Sequence, residues 1–228
     1  MPDLRERWRT SFIEATTYDW AVEHEHVAGV LGPLIWGTDT STFYGDIARL
    51  SELPAGTRVL DIPCGGGVAL RGLRPEQELD YVAADLSPVM LRRARAEAER
   101  RAIHWIEFAE ADVEALPFED RSFDLVVTYT GLHCFPDPPA AIAEMARVLR
   151  AGGELRGTSV IKQTGVRRDA FVRLMQLGGM FGPGQTLAEL EASLADAGLV
   201  KVSTTRSGAL AYLSARRRGG NQGRRRSN

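Results

Sequence analysis

Cysteine is scarce in this sequence: its 228 residues include only Cys64 and Cys134. Two cysteines do not suggest a disulfide framework, and neither has the partner spacing of a metal ligand. The four histidines form no ligand cluster either, so no metal site is predicted. We therefore interpret both cysteines as small side chains of a reduced, cytoplasmic protein.

The sequence also lacks long apolar runs and a strong excess of charge. No run is long enough to cross a bilayer, and the first residues lack the basic start and apolar centre of a secretory signal. The net charge of −2 gives no overall attraction to nucleic acid or to acidic membranes. These absences predict no nucleic-acid partner and no stable membrane insertion. A small-molecule substrate is expected, and a homodimer is left open.

What remains is an ordinary globular composition, with 44% hydrophobic and 25% charged residues. Residues 1–52 carry apolar positions at helical spacing, which predicts an N-terminal helical lid or cap segment. After Gly56, strand and helix patterns alternate, which predicts an α/β domain over residues 53–216. Arginine triplets beside a glycine-rich stretch predict a disordered basic tail over residues 217–228.

A glycine-rich turn is the most informative feature. An apolar run ends at Asp61, three consecutive glycines follow at 65–67, and apolar residues resume at Val68. This pattern predicts a buried strand, a tight turn and the start of a helix. Glycines at such a turn let the backbone approach a ligand closely, because no side chain occupies the space. A turn without a ligand is the alternative.

A second acidic strand end narrows the choice of ligand. Residues 81–84 form a short apolar run that ends at Asp85, about 20 residues beyond the turn, where a doubly wound sheet offers a carboxylate to ribose hydroxyls. A dinucleotide-binding fingerprint needs a small residue three positions after Gly67, and this chain has Leu70. The pattern therefore favours a ligand with a ribose but no pyrophosphate, and it disfavours a nicotinamide-dependent oxidoreductase.

Two helix starts are well marked. Ser87 with Pro88 predicts an N-cap and first helical residue, and Thr186 with Glu189 has the capping-box pattern. Residues 162–184 form the least regular part of the sequence and carry apolar side chains that could contact a substrate.

These features resemble the class I S-adenosylmethionine (SAM) methyltransferases, and most closely the branch of ubiquinone/menaquinone-biosynthesis-type and related small-molecule enzymes. Residues 111–118 look like the adenine-binding segment of that family. Residues 122–128 resemble its fourth strand, and residues 148–155 resemble the turn into its fifth strand. The resemblance covers about residues 57–160 in the expected order and fades towards both ends.

The resemblance implies an α/β fold, a Rossmann-like seven-stranded sheet with flanking helices, mostly parallel with the last strand antiparallel. We expect the last two strands, near 199–204 and 209–215, to form a hairpin at the sheet edge. It also implies a SAM-dependent methyltransferase whose acceptor is small and apolar or lipid-like. A non-catalytic SAM-binding module is the alternative that stays open.

The resemblance also implies roles for individual residues. Asp61 would lie near the ammonium group of SAM, Asp85 would accept hydrogen bonds from both ribose hydroxyls, and Asp112 would face the adenine amino group. The family usually has glycine where this chain has Pro63, so proline must either impair binding or be accommodated, and we favour accommodation. The residues predicted to bind the cofactor are Asp61, Pro63, Cys64, Gly65, Gly67, Asp85, Leu86, Met90, Asp112, Val113 and Thr130.

The predicted catalytic and substrate residues come from both sides of that segment. His133 follows the fourth strand, and its ordinary pKa suits a general base near neutral pH. The alternative is that His133 only packs beside the cofactor or substrate. Tyr18 and Trp20 could close over the site from the N-terminal segment, and Phe171 and Met175 could contact the acceptor.

Overall fold

The computed structural model describes residues 4–10, 32–38 and 40–219. Tyr18 and Trp20, which were predicted to close over the site, lie outside the described residues. So do residues 220–228 of the predicted tail.

A seven-stranded sheet runs through the centre of the molecule, in the order β3-β2-β1-β4-β5-β7-β6. Strands β1 to β5 pair in parallel, and β7 pairs antiparallel with both β5 and β6. This confirms the predicted Rossmann-like sheet and its edge hairpin. The strands are β1 (Arg58–Asp61), β2 (Asp80–Asp85), β3 (Ile106–Glu110), β4 (Phe123–Tyr129), β5 (Leu149–Val160), β6 (Leu199–Ser207) and β7 (Leu210–Arg217).

Helices cover both faces of the sheet, and each face has its own apolar core. One core includes residues of α2 and α3, and the other includes residues of α4 and α6. No helix in residues 4–10, 32–38 or 40–219 is long and apolar enough to cross a membrane. The α-helices are α1 (Leu4–Thr10), α2 (Thr40–Ala48), α3 (Pro88–Arg100), α4 (Pro138–Val148), α5 (Val166–Leu177) and α6 (Leu187–Asp196). A π-helix covers Gly32–Trp36, and 3₁₀-helices cover Arg49–Glu52, Val68–Gly72, Pro75–Gln77 and Leu132–Cys134.

The two marked helix starts are present. Pro88 is the first residue of α3. At α6 the hydroxyl of Thr186 accepts the Glu189 N–H at 3.2 Å, while the Glu189 carboxylate accepts the Thr186 N–H at 2.7 Å. This reciprocal pair satisfies two of the amide groups that a helix start leaves without partners.

Two local predictions need correction. The helix after the glycine turn is a short 3₁₀-helix. Gly72, its last residue, packs closely on α2, where a Cβ atom would be 1.9 Å from the carbonyl oxygen of Ile47. The region 162–184 contains the 12-residue helix α5. Sequence analysis missed it because apolar residues lie on both its buried and its exposed sides, so no single apolar face is visible.

Candidate functional site

A cleft opens at the carboxyl ends of β1, β2 and β4, where the strand order of the parallel sheet changes direction. This edge is where ligands bind in open α/β sheets. The cleft holds about 870 Å³ of empty space, its open mouth included. Nine of the eleven predicted cofactor residues line it: Pro63, Cys64, Gly65, Asp85, Leu86, Met90, Asp112, Val113 and Thr130.

Backbone N–H groups hold the carboxylate of Asp85 in place at the cleft. Its Oδ2 accepts the Gly65 N–H at 2.9 Å, and its Oδ1 accepts the Ser87 N–H at 2.8 Å. Burial raises the pKa of Asp85 to about 6, while these backbone donors oppose the rise. Since a carboxylate oxygen can accept more than one hydrogen bond, both oxygens retain capacity for ligand hydroxyls. The side chain is thus fixed by two backbone amides and faces the cleft with unused acceptor sites.

The glycine turn divides into two parts. Gly65 has a φ of 51° and lies at the cleft, where its backbone approaches Asp85. Gly67 has a φ of 92° but packs away from the cleft, since a Cβ atom there would lie 3.3 Å from the Cα of Ala94 in α3. Only the first part of the turn therefore borders the space for a ligand.

Pro63 is accommodated by a glycine from the next strand end. The Ile62–Pro63 peptide bond is cis. A Cβ atom on Gly131 would lie 2.2 Å from Cδ of Pro63, so only glycine leaves room for the proline ring. Both residues line the cleft. The sequence predicted Gly131 at the end of the fourth strand beside the cofactor, where it lies, but it did not predict the contact between Gly131 and Pro63.

The adenine-side residues have an unexpected neighbour in α1. Asp112 accepts the Glu114 N–H at 3.0 Å, and its Oδ2 lies 3.5 Å from Nε of Arg5. Arg5 also pairs with the Glu114 carboxylate, and both Arg5 and Trp8 line the cleft. The sequence predicted a helical lid over residues 1–52, with Trp8 among its apolar positions, but did not assign Arg5 to the site, because the ion-pair partners of Arg5 lie more than 100 positions away along the chain.

Asp61 lies beneath the cleft rather than on its wall. The residue is 1% exposed, and its Oδ2 accepts the Tyr81 hydroxyl at 3.0 Å. Burial raises the pKa of Asp61 to about 8, and the nearby Asp85 adds to the rise. The structure therefore places a carboxyl group with a high pKa one residue before the cleft wall at Ile62.

His133 also lies outside the cleft lining. Its Nδ1 accepts the Val160 N–H at 3.2 Å, and its ring meets the ring of Phe181 edge-on with centroids 4.4 Å apart. Burial lowers the pKa of His133 to about 3. The imidazole is therefore neutral near pH 7, with its proton on Nε2. This geometry favours the interpretation that His133 packs beside the site.

Two further predictions fall elsewhere. Phe171 and Met175 lie on α5 and do not line the cleft; the ring of Phe171 packs on Trp36 at 5.2 Å.

Cys64 and Cys134 are both buried free thiols at the cleft. Thr130, at the end of β4, has a φ of 55°, an uncommon conformation for a residue with a side chain, and its N–H donates to the Thr158 carbonyl at 3.1 Å.

Comparison with known families identifies one domain. Residues 60–156 match the family described as methyltransferase domain. These residues run from β1 to β5 and contain most of the cleft wall.

Two relatives extend the match. The chain is 33% identical over 150 residues to a probable phthiotriol/phenolphthiotriol dimycocerosates methyltransferase 2 of Mycobacterium ulcerans, covering 65% of this chain and 49% of the relative. It is 41% identical over 99 residues to a demethylmenaquinone methyltransferase of Thermus thermophilus, covering 43% and 44% respectively. The chain thus spans about half the length of these relatives.

A solved structure shares the fold. The phosphoethanolamine N-methyltransferase 2 of Haemonchus contortus, solved with phosphomonomethylethanolamine and S-adenosylhomocysteine, superimposes with a TM-score of 0.67 at 17% identity. The match covers 77% of this chain and 53% of that one. At this identity the likeness establishes the fold alone.

Proposed function

We propose that this chain, whose residues 60–156 match the methyltransferase domain family, binds SAM in the cleft and transfers its methyl group to a small, apolar or lipid-like acceptor. The observation that carries the proposal is Asp85, a buried carboxylate whose oxygens are held by the Gly65 and Ser87 amides and retain acceptor capacity towards the cleft.

The residues of the cleft fit such a cofactor. Asp85 would accept hydrogen bonds from the ribose hydroxyls, and each charge-assisted bond can contribute roughly 1.5–3 kcal/mol. Asp112 would face the adenine amino group, with Val113 on one side of the ring and Leu86 on the other. Asp61, beneath the wall, would lie near the ammonium group; because its pKa is about 8 in the free protein, it is mostly protonated near pH 7 and would offer a carboxyl oxygen rather than a full negative charge.

The remaining chemistry needs little from the protein. SAM supplies the methyl group already activated on a sulfonium. The residues of the cleft hold the two reactants in line and exclude water, and such positioning can contribute roughly 7–11 kcal/mol. The base role for His133 stays a prediction, because the buried ring bonds to Val160 and does not line the cleft.

Support for a lipid-like acceptor comes from the relatives. Their names give phthiotriol dimycocerosates and demethylmenaquinone as the compounds on which they act. We infer a related chemical class here, and not DNA, RNA or protein. The net charge of −2 and the two free thiols are in keeping with a small-molecule enzyme of the cytoplasm.

A transfer assay tests this function. Purified protein is incubated with methyl-labelled SAM and either a lipid extract, a polar metabolite extract, RNA or protein. We expect label in the lipid extract, and none with Asp85→Ala. Label that appears only in RNA or protein would overturn the acceptor class. Cofactor binding without transfer to any fraction would favour the non-catalytic module.

A further inference from the structure

Helix α5 carries apolar residues on its outer side. Val166 is 89% exposed, Leu177 is 75% exposed and Leu174 is 58% exposed, and they are the exposed large apolar residues of the described chain. Ala170, also exposed, lies between them. Since successive helix residues are about 100° apart, these four positions fall within a sector of about 80°. They form one continuous stripe, which we call the outer stripe of α5.

The helix is held in place by its other side. Val172 is buried in the core, and Phe171 packs on Trp36. The Gln176 amide donates to the carbonyl oxygens of Gly182 and Pro183, both at 2.9 Å. The exposure of the outer stripe is therefore a property of a docked helix, and the apolar residues there contribute nothing to the core.

Arginines border the outer stripe on both sides. Arg167 lies about 20° beyond Leu174, and Arg173 lies about 20° beyond Val166 on the opposite edge. Both are exposed, and neither forms an ion pair or hydrogen bond with any residue the structure describes. The first turn of the helix also lines a second cavity beside Pro33 and Ile35, which holds about 1060 Å³ of empty space, its open mouth included. Val166 thus belongs both to the stripe and to the lining of this recess, to which Arg167 and Arg168 also contribute.

We propose that the outer stripe of α5 docks this protein on an anionic lipid surface. An apolar stripe between basic edges is the arrangement that lies in a membrane interface, with apolar side chains among the acyl chains and cations at the headgroups. Arg167 and Arg173, which have no carboxylate partner among the described residues, favour an anionic lipid surface because they complement anionic headgroups. The chain as a whole carries a charge of −2, so the attraction is local to this face. The proposal goes beyond methyl transfer and does not require it.

Vesicle sedimentation without any methyl donor tests the docking. The full chain is mixed with phosphatidylcholine vesicles with and without phosphatidylglycerol. We expect binding that depends on the anionic lipid. Leu174→Gln/Leu177→Gln should weaken it at least about tenfold, because apolar burial is lost while helix propensity is kept. Arg167→Gln/Arg173→Gln should weaken it by about fivefold per arginine and reduce its salt dependence.

Two control variants make the result specific. Arg92→Gln removes an exposed arginine from α3 and should leave binding unchanged. Arg224→Gln/Arg225→Gln/Arg226→Gln removes the charge of the tail; if this variant alone abolishes binding, the tail is the lipid contact and the proposal is wrong. The proposal is equally overturned if the stripe variants bind as the wild type does, or if they change the oligomeric state of the protein and leave vesicle binding intact. Thermal unfolding of each variant confirms that it is folded.

Discussion

Asp61 and Asp85 are both buried carboxyl groups with raised pKa values, yet they have different partners. Asp85 has two backbone donors and faces the cleft, while Asp61 has the Tyr81 hydroxyl and lies beneath it. The sequence placed both at strand ends, because an apolar run that ends in an acid is visible without a structure. The sequence could not show which of the two side chains faces the cleft and which lies beneath it, since that depends on the direction in which each side chain points.

The pH dependence of cofactor affinity reports the ionisation of Asp85. Its pKa in the free protein is about 6, and the carboxylate form accepts ribose hydroxyls. The part of the affinity for S-adenosylhomocysteine that depends on Asp85 should therefore be complete above about pH 7 and fall below pH 6, by at most about tenfold per pH unit. Calorimetric titrations from acid to neutral pH measure this. Asp85→Asn should bind weakly and show no such inflection; an unchanged inflection in that variant would assign it to another group.

Pro63 and Gly131 should show coupled effects. Gly131→Ala places a Cβ atom against the proline ring, so we expect lower stability and at least about tenfold weaker cofactor binding. Adding Pro63→Gly removes the ring and should restore most of both losses. A double-mutant cycle on unfolding free energy and cofactor affinity measures the coupling. Additive effects would mean that the contact does not limit position 131.

His133 contributes to stability in our account. His133→Ala leaves the buried Val160 N–H without an acceptor and should lower the free energy of unfolding by about 3 kcal/mol. His133→Asn can place an oxygen near the Nδ1 position and should lose less. Turnover per folded molecule should change by less than about threefold in His133→Asn. A loss of about a hundredfold or more, with unchanged unfolding free energy, would support the base role instead.

The same residue gives an acid-sensitive stability. The pKa of His133 is lowered in the fold to about 3, below its ordinary value of 6.5. Its contribution is therefore complete above pH 6.5 and is lost as pH falls, by about 1.4 kcal/mol per pH unit. Denaturant unfolding at several pH values should show a shallower acid loss in His133→Asn than in the wild type.

At the scale of elements, ion pairs hold helix α1 against one side of the cleft. Arg9 pairs with Glu110 at 2.9 Å, and Arg5 pairs with Asp112 and Glu114 at the cleft itself. Helical periodicity predicted that the N-terminal segment is helical. The docking site of α1 could not be predicted, because ion pairs between distant residues leave no local pattern in a sequence.

Reversing the charge of Arg9 should weaken the attachment of α1 without changing a residue that lines the cleft. Arg9→Glu opposes Glu110, so the cofactor should dissociate up to about fivefold faster at low salt, as exposed pairs contribute about 1 kcal/mol or less. The difference should vanish in concentrated salt because exposed charges are screened. Stopped-flow displacement measures the rates, and Arg92→Glu is the control with the same charge change. Equal dissociation rates at low salt would show that the attachment of α1 does not help to retain the cofactor.

At the scale of the whole molecule, the alternation of strand and helix patterns predicted a parallel α/β sheet, and the resemblance to class I methyltransferases implied its seven strands. Parallel strands joined by helices have few arrangements, so an ordered set of strand ends implies a shared ligand edge. Helix α5 was the exception. Its exposed leucines do not pack in either apolar core. A sequence pattern does not distinguish an apolar residue that packs inside from one that faces solvent.

The central claim is that this edge of the sheet binds SAM through Asp85, and calorimetry with S-adenosylhomocysteine tests it most directly. The folded wild type should bind with a one-to-one stoichiometry. Asp85→Ala, verified as folded by circular dichroism, should bind at least about a hundredfold more weakly, since two charge-assisted hydrogen bonds are lost. No binding by the folded wild type at millimolar cofactor, or equal affinity in Asp85→Ala, would contradict the account.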